Sequence, residues 1–518
     1  MNPHQRPMVS AWVRHIACSL LFACFLGLSS SASAWVAYKS KSGSFRLEVS
    51  GYVKNFFAIQ TGMARFLPEE VPQDLKGLDT LFRSIYPNQP QANLGEQWKT
   101  FRQDLNTSAQ DQLWFRLGIK MKMGSSATLQ IAYEIRPWAG SQPSMLLQKL
   151  PALGSALSGG LFGSDGGGAA GFGAFTFFDD RYLDFPSVVL DRSGFRLQHA
   201  LDRLFFSYSF EALDMTIGRQ PISFGVGRVF RPNDVLAPFS PYEFDTEQRR
   251  GVDAIKLEIP LGDVSELMIV AAIQRLYPSC QRSTTNDINV EGTPPAGCNP
   301  NATRINYWDD PSPAGIARFK WNVSTVDMFV MAGYVHQDIV GGLGISASIF
   351  GMGLQAEFLY RYPIVKPEDQ HPGGLWSLSV NAEYNIAKIK LLLGLSYFHQ
   401  SVGSTDPKRY LKVAQGHRHL RGESFLLGTD YLALYWQWEL HPLVSFNGSI
   451  ILNLLDPSAV FAPTFTINPI QDLHLLVGAY IGAGAFPTLG DNNKPNLALQ
   501  SEFGSFGAMV LVGLRYYY

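Results

Sequence analysis

Beyond residue 44 the chain is written in segments of about ten residues in which apolar and polar side chains alternate. In 376–386, Trp376, Leu378, Val380, Ala382, Tyr384 and Ile386 share one parity; Ser377, Ser379, Asn381, Glu383 and Asn385 share the other. A period of two sends the two sets to opposite faces of a sheet. The same holds for 113–121, 432–440 and 444–454, and no such segment repeats at 3.6. The pattern predicts about eighteen strands, at 45–58, 110–121, 126–136, 203–210, 213–220, 252–259, 265–275, 314–323, 325–336, 338–350, 351–363, 376–386, 387–399, 431–439, 443–454, 458–467, 473–483 and 507–518. Gly341, Gly342 and Gly344 blur the register across 338–363, and losing that pair would leave about sixteen strands.

The links between strands carry as much information as the strands. Turns at 122–125, 260–264, 440–443 and 468–472 are tight, whereas 60–109, 137–202, 220–251, 276–313, 364–375, 400–430 and 484–506 are long. Short turns at one end and long loops at the other are expected of a transmembrane antiparallel β-barrel. A soluble sandwich gives no reason to collect every long loop at one end. The last strand places Val510, Val512, Leu514, Tyr516 and Tyr518 on one face, with aromatic rings where an interface favours them.

Composition agrees. Charged residues are 16% and mean hydropathy is zero, too low for a bundle of membrane helices but suited to strands with one lipid face and one wet face. Lys plus Arg number 42 against 43 for Asp plus Glu, which gives no ground for a nucleic-acid partner. Residues 1–34 read as a signal peptide: Arg6 and Arg14 precede an apolar run from Ile16 to Leu28, and Ser-Ala-Ser-Ala ends at Ala34. Leu21-Phe22-Ala23-Cys24 offers lipoprotein processing as a rival. Residues 35–518 then form the barrel, in contact with outer-membrane lipid. Cys280 and Cys298, the cysteines left after cleavage, read as a disulfide in an exported chain, with two free thiols as the alternative.

A barrel of this size is too wide for its own side chains to fill. The inward parity carries Arg116, Lys120, Glu134, Lys256, Glu258, Glu383, Lys390 and Glu439, a charged lining suited to a diffusion channel. In 220–251 and at its flanks, Arg219, Arg228, Arg231, Arg249 and Arg250 alternate with Asp234, Glu243, Asp245 and Glu247 among prolines and glycines. Folded inward, the two signs would oppose each other across a constriction and impose a transverse field. The competing reading is a loop stitched to the barrel by its own ion pairs.

Gly-Arg-Gln-Pro-Ile-Ser-Phe-Gly at 218–225, Arg231-Pro-Asn-Asp234 and Glu247-Gln-Arg-Arg-Gly-Val-Asp253-Ala resemble porin-type outer-membrane proteins of the alginate-export and related substrate-specific groups. The resemblance spans about 40 residues and implies a barrel channel with an inward loop between these strands. The apolar, glycine-rich loop 137–202 has no counterpart in it. Exposed apolar surface of that kind suggests self-association, a homotrimer being the expected form.

Enzymatic readings find no support. No G-x-S-x-G surrounds any serine, the histidines are scattered, and His417 and His419 lack further metal ligands. No cofactor and no metal is expected. The leading expectation is a passive channel for small polar solutes, with selectivity open. The alternatives are a transporter of hydrophobic compounds, which would need a kinked strand with unpaired backbone, and an adhesion or assembly barrel acting through its loops.

Overall fold

The computed structural model describes residues 35–62, 94–140, 181–183, 187–192, 194–245, 247–275, 311–364, 374–414, 416–420, 422–486, 488–489 and 497–518. The signal segment, Cys280, Cys298 and the glycine-rich run 159–173 lie outside the described residues. Eighteen antiparallel strands form one closed barrel. They are Phe45–Thr61, Thr107–Met123, Ala127–Gly140, Phe195–Ser209, Asp214–Pro221, Gly251–Pro260, Ser265–Arg275, Pro311–Val323 and Val326–Val335, then Asp338–Ile349, Met352–Pro363, Leu375–Ile386, Leu391–Gln400, Asp430–His441, Val444–Asn453, Ser458–Ile470, Leu473–Ala483 and Ala508–Tyr517. The ring closes because Ala508–Tyr517 pairs with both Leu473–Ala483 and Phe45–Thr61.

Burial is inverted relative to a water-soluble protein. Leu204, Phe206, Ile255, Leu395, Val477 and Val512 are exposed on the outer wall, while Lys54, Glu134 and Arg219 are buried inside. In hydrocarbon only apolar side chains can face outward, and every backbone group needs a partner in the ladder. The pair across 338–363 is regular from Asp338↔Pro363 to Ile349↔Met352, so its glycines do not disturb the register.

Two strand starts differ from the periodicity. The strand expected at 203 begins at Phe195, because the register shifts opposite Ala132/Tyr133 and Asp202 is the extra residue. That bulge reverses the parity: Gln198, Ala200 and Asp202 are buried inside, Arg203 follows them inward, and Leu204 and Phe206 are exposed. The strand expected at 387 begins at Leu391, since Ala387–Ile389 forms a 3-10 turn and Lys390 takes its left-handed end at φ 53. Lys390 therefore leaves the lumen wall and pairs with Glu439 at the short-turn rim, both half-exposed.

Two extra segments lengthen the wall. Trp35–Lys39 pairs with the base of the first strand, Trp35 opposite Val49, beyond the point where Tyr517 pairs with Tyr52. Ser187–Arg192 pairs with the upper part of Phe195–Ser209. At the seam Tyr518 exchanges backbone hydrogen bonds with Gly51, and its hydroxyl donates to the Arg116 carbonyl at 2.9 Å. A Cβ on Gly51 would stand 2.1 Å from that carbonyl and 2.5 Å from the Tyr518 hydroxyl. Gly51→Val should therefore displace the closing residue at a cost of about 1–3 kcal/mol. The expected result is a smaller fraction of heat-modifiable, closed barrel on unboiled gels; an unchanged fraction would contradict this account of the seam.

Candidate functional site in the barrel lumen

The segment between Asp214–Pro221 and Gly251–Pro260 turns into the barrel and is held from several sides. Two carboxylates organise it. Asp234 accepts from the Ser223 hydroxyl (2.9 Å) and from the amides of Phe224 (2.7 Å) and Gly225 (2.9 Å), and its other oxygen meets Arg249 at 2.7 Å. Glu357, inward on Met352–Pro363, accepts from the amides of Val226 and Gly227 at 2.5 Å and from the Asn233 side chain at 3.1 Å. Gly227 allows this approach, since a Cβ there would lie 2.2 Å from the Phe230 carbonyl.

Apolar contacts seat one half of the loop. Ile222, Phe224, Val235, Leu236 and Ala237 pack on inward residues including Val270, Ile316, Phe329, Val340 and Leu359. Phe230 stacks on Phe398 at 4.8 Å. The signal in sequence is that 265–275 and 326–335 are apolar on both parities, more than a lipid face requires. Something must cover the inner face of such strands, and this loop does.

The other half is held by charge. Lys54, fully buried on the first strand, contacts Asp245 and Glu247, each at 2.7 Å; Arg515 on the last strand reaches Asp245 at 3.4 Å. Burial alone would raise the Asp245 carboxyl, but Lys54 and Arg515 outweigh it and hold it below the ordinary range. Burial depresses the Arg231 guanidinium, whose Nε donates to the Gly227 carbonyl at 2.6 Å. Burial raises Glu243 to about 8, with Arg250 opposing.

The structure thus brings Arg249 to Asp234 and sends Asp245 and Glu247 to the wall, so these charges are neutralised in pairs and do not face each other across open water. Arg228 is the arginine of the loop left exposed; it meets Glu383 at 3.1 Å with 53% of its side chain accessible. Arg219 belongs to the wall, buried against Asp253 at 2.7 Å and donating to the Leu201 carbonyl at 2.9 Å. Arg116 contacts Glu134 and, at 2.6 Å, Asp202; Arg203 joins them at 2.9 Å. Lys256 pairs with Glu258 at 2.8 Å, and Lys120 stands opposite Glu48, both toward the short-turn end.

At the long-loop end, Glu502 is buried and accepts from the Leu427 amide (3.0 Å), Asn453 (2.8 Å) and the Tyr431 hydroxyl (2.5 Å), tying two outer loops together. Its carboxyl is raised by burial to about 7. Replacing Glu357 by Leu strips the acceptor from the amides of Val226 and Gly227, about 1–3 kcal/mol for each orphaned group. The expected outcome is faster amide exchange across 224–237 with unchanged heat-modifiable mobility; full protection in the variant would refute the clamp.

No family description matches this chain, and no curated protein does. Solved structures do. OccK7 (OpdD) of Pseudomonas aeruginosa is 10% identical with a TM-score of 0.44, covering 91% of this chain and 98% of that one. OccAB4 of Acinetobacter baumannii is 8% identical at 0.43, covering 91% and 98%. A mutant Rh. blastica porin is 9% identical at 0.36, covering 91% and 100%. The closed barrel of eighteen antiparallel strands is read from its own strand pairing and does not rest on these likenesses.

Proposed function

We propose that the chain is a channel of a bacterial outer membrane that passes small polar solutes by diffusion, with the inward loop 221–250 as its constriction. The observation that carries this is the loop itself. A closed barrel with an apolar outer face holds a segment anchored by carboxylates and cations within its bore, with Arg228 exposed beside Glu383. Short turns face the periplasm and long loops the exterior. The trimer belongs to the same proposal and rests on the apolar composition of 137–202, most of which lies outside the described residues.

A route for hydrophobic compounds has one observation in its favour, the bulged strand Phe195–Ser209. The backbone there is not free, however: the Leu201 carbonyl accepts from Arg219, and Arg203 reaches the carbonyls of Asp202 and Arg249. A lateral path would run past buried Asp202, Arg203, Arg219 and Asp253, whose charges make it costly for an apolar solute.

Single-channel conductance in planar bilayers under a salt gradient tests the channel reading. Discrete open steps are expected, and Arg228→Glu should shift selectivity toward cations; a folded barrel that never conducts would overturn the proposal. A second expectation follows from Glu243, which is neutral below about 8 and ionised above it. Ionisation adds negative charge inside the lumen, so cation preference should rise between about pH 7 and 9. Glu243→Gln should abolish the rise, which separates it from the titration of Glu502 near pH 7.

A further inference from the structure

Two outer loops meet at the mouth and are joined to each other and to the constriction. Loop 401–429 is bonded to itself at its neck. The Ser404 amide donates to the Leu427 carbonyl (2.9 Å), and the Gln400 side chain donates to the carbonyls of Leu426 (2.8 Å) and Gly428 (2.9 Å). A Cβ on Gly403 would stand 1.8 Å from the Gly428 carbonyl, so glycine is what lets the neck close. From the top of Leu391–Gln400 the loop passes two neighbouring strands, Leu375–Ile386 and Met352–Pro363. Its Arg418 then reaches Asp338, at 2.6 and 2.9 Å, beside the tight turn at 336–337. The second loop, 484–507, reaches down to the constriction: the rings of Phe503 and Phe506 each lie 5.8 Å from that of Tyr242 in the inward loop.

Glu502 is where the two loops join. Its buried carboxylate accepts from the Leu427 amide (3.0 Å) of the first loop, from Asn453 (2.8 Å) on the wall and from the Tyr431 hydroxyl. None of these donors can turn round. A backbone amide only donates, the Tyr431 hydroxyl already accepts from the Gly428 amide, and the Asn453 carbonyl is taken by the Leu455 amide at 3.0 Å. The joint therefore depends on one acceptor. Facing it are Asp456 on the turn 454–457, Tyr410 of the first loop, Tyr431 of the wall and Tyr242 of the inward loop. Asp456 accepts from the backbone amide of Glu502 at 3.1 Å, so an ionised Glu502 meets a second negative charge in a site without water.

We propose that the two loops form one lid, latched at Glu502, and that release of the latch lifts the lid from the constriction and opens the channel. This rests on the channel reading and adds a gate to it. Protonation sets the latch. Burial, with Asp456 beside it, outweighs the three donors and raises the carboxyl from 4.5 to about 7. Released loops return the group to water and to its ordinary range. Joining thus takes up a proton: it is most favoured below about 4.5 and loses that advantage as pH rises to about 7. Over that span the ratio of joined to released lid should fall by about a hundredfold.

Single-channel recording of the full-length barrel across this range tests the latch. Two conductance levels are expected, with the share of time in the higher one rising from about pH 5 to 7. That share, not ion preference, is the readout, which keeps it apart from the titration of Glu243. Glu502→Ala, without an acceptor, should hold the higher level at every pH. Tyr431→Phe removes a donor and should move the midpoint to higher pH; Asp456→Asn removes a negative neighbour and should move it lower. A merely structural role would not move the two in opposite directions. Amide exchange at Leu427 in the unaltered barrel reads the latch directly, and its protection should fall over the same range. Should the variants give no heat-modifiable barrel, that exchange decides. Constant protection, or a conducting barrel whose open share is flat with pH, overturns the latch and leaves the channel reading standing. A barrel that conducts at no pH, with and without Glu502→Ala, overturns both.

Discussion

A chain that crosses lipid in strands cannot leave an edge, because an unpaired amide or carbonyl in hydrocarbon has no water to turn to. Closure follows, and closure of eighteen strands encloses more space than inward side chains can fill. The interior of this protein is an answer to that geometry. One long connection is turned inward, and the wall beneath it is apolar where the loop is apolar and basic where the loop is acidic.

Charge in the lumen is held in matched groups. Lys54 with Asp245, Arg219 with Asp253, and Arg116 with Glu134 and Asp202 are each taken almost fully out of water. Such groups add modestly to stability when complete and cost several kcal/mol when one partner is lost, about 3–5 by general experience. They specify position more than they supply affinity. The loop is held in one place because any other position would strand a buried charge.

The strands were legible because lipid on one side and water or protein on the other enforce a period of two over the whole wall. Where the wall departs from that rule, the reading failed locally. Asp202 inserts one residue, the parity reverses, and Phe195 to Leu201 no longer join their own strand by pattern. Lys390 kept the right parity but lies in a turn whose left-handed residue alternation cannot reveal. The loop residues were recognisable from their density of charge, but their partners were not: Lys54 and Asp245 are 191 residues apart. The apolar residues on both parities of 265–275 are a signal the alternation pattern alone did not use, and they do not say which segment covers them.

Asp245 touches both ends of the ring. Lys54 lies on the first strand, Arg515 on the last, and the two stand directly opposite each other across the seam. A carboxylate from the middle of the chain therefore bridges the junction that only the final strand can complete. Loop position and closure are thereby coupled at equilibrium: a loop out of place leaves two cations side by side at the junction with no carboxylate between them, and an open junction leaves the carboxylate with half of its partners.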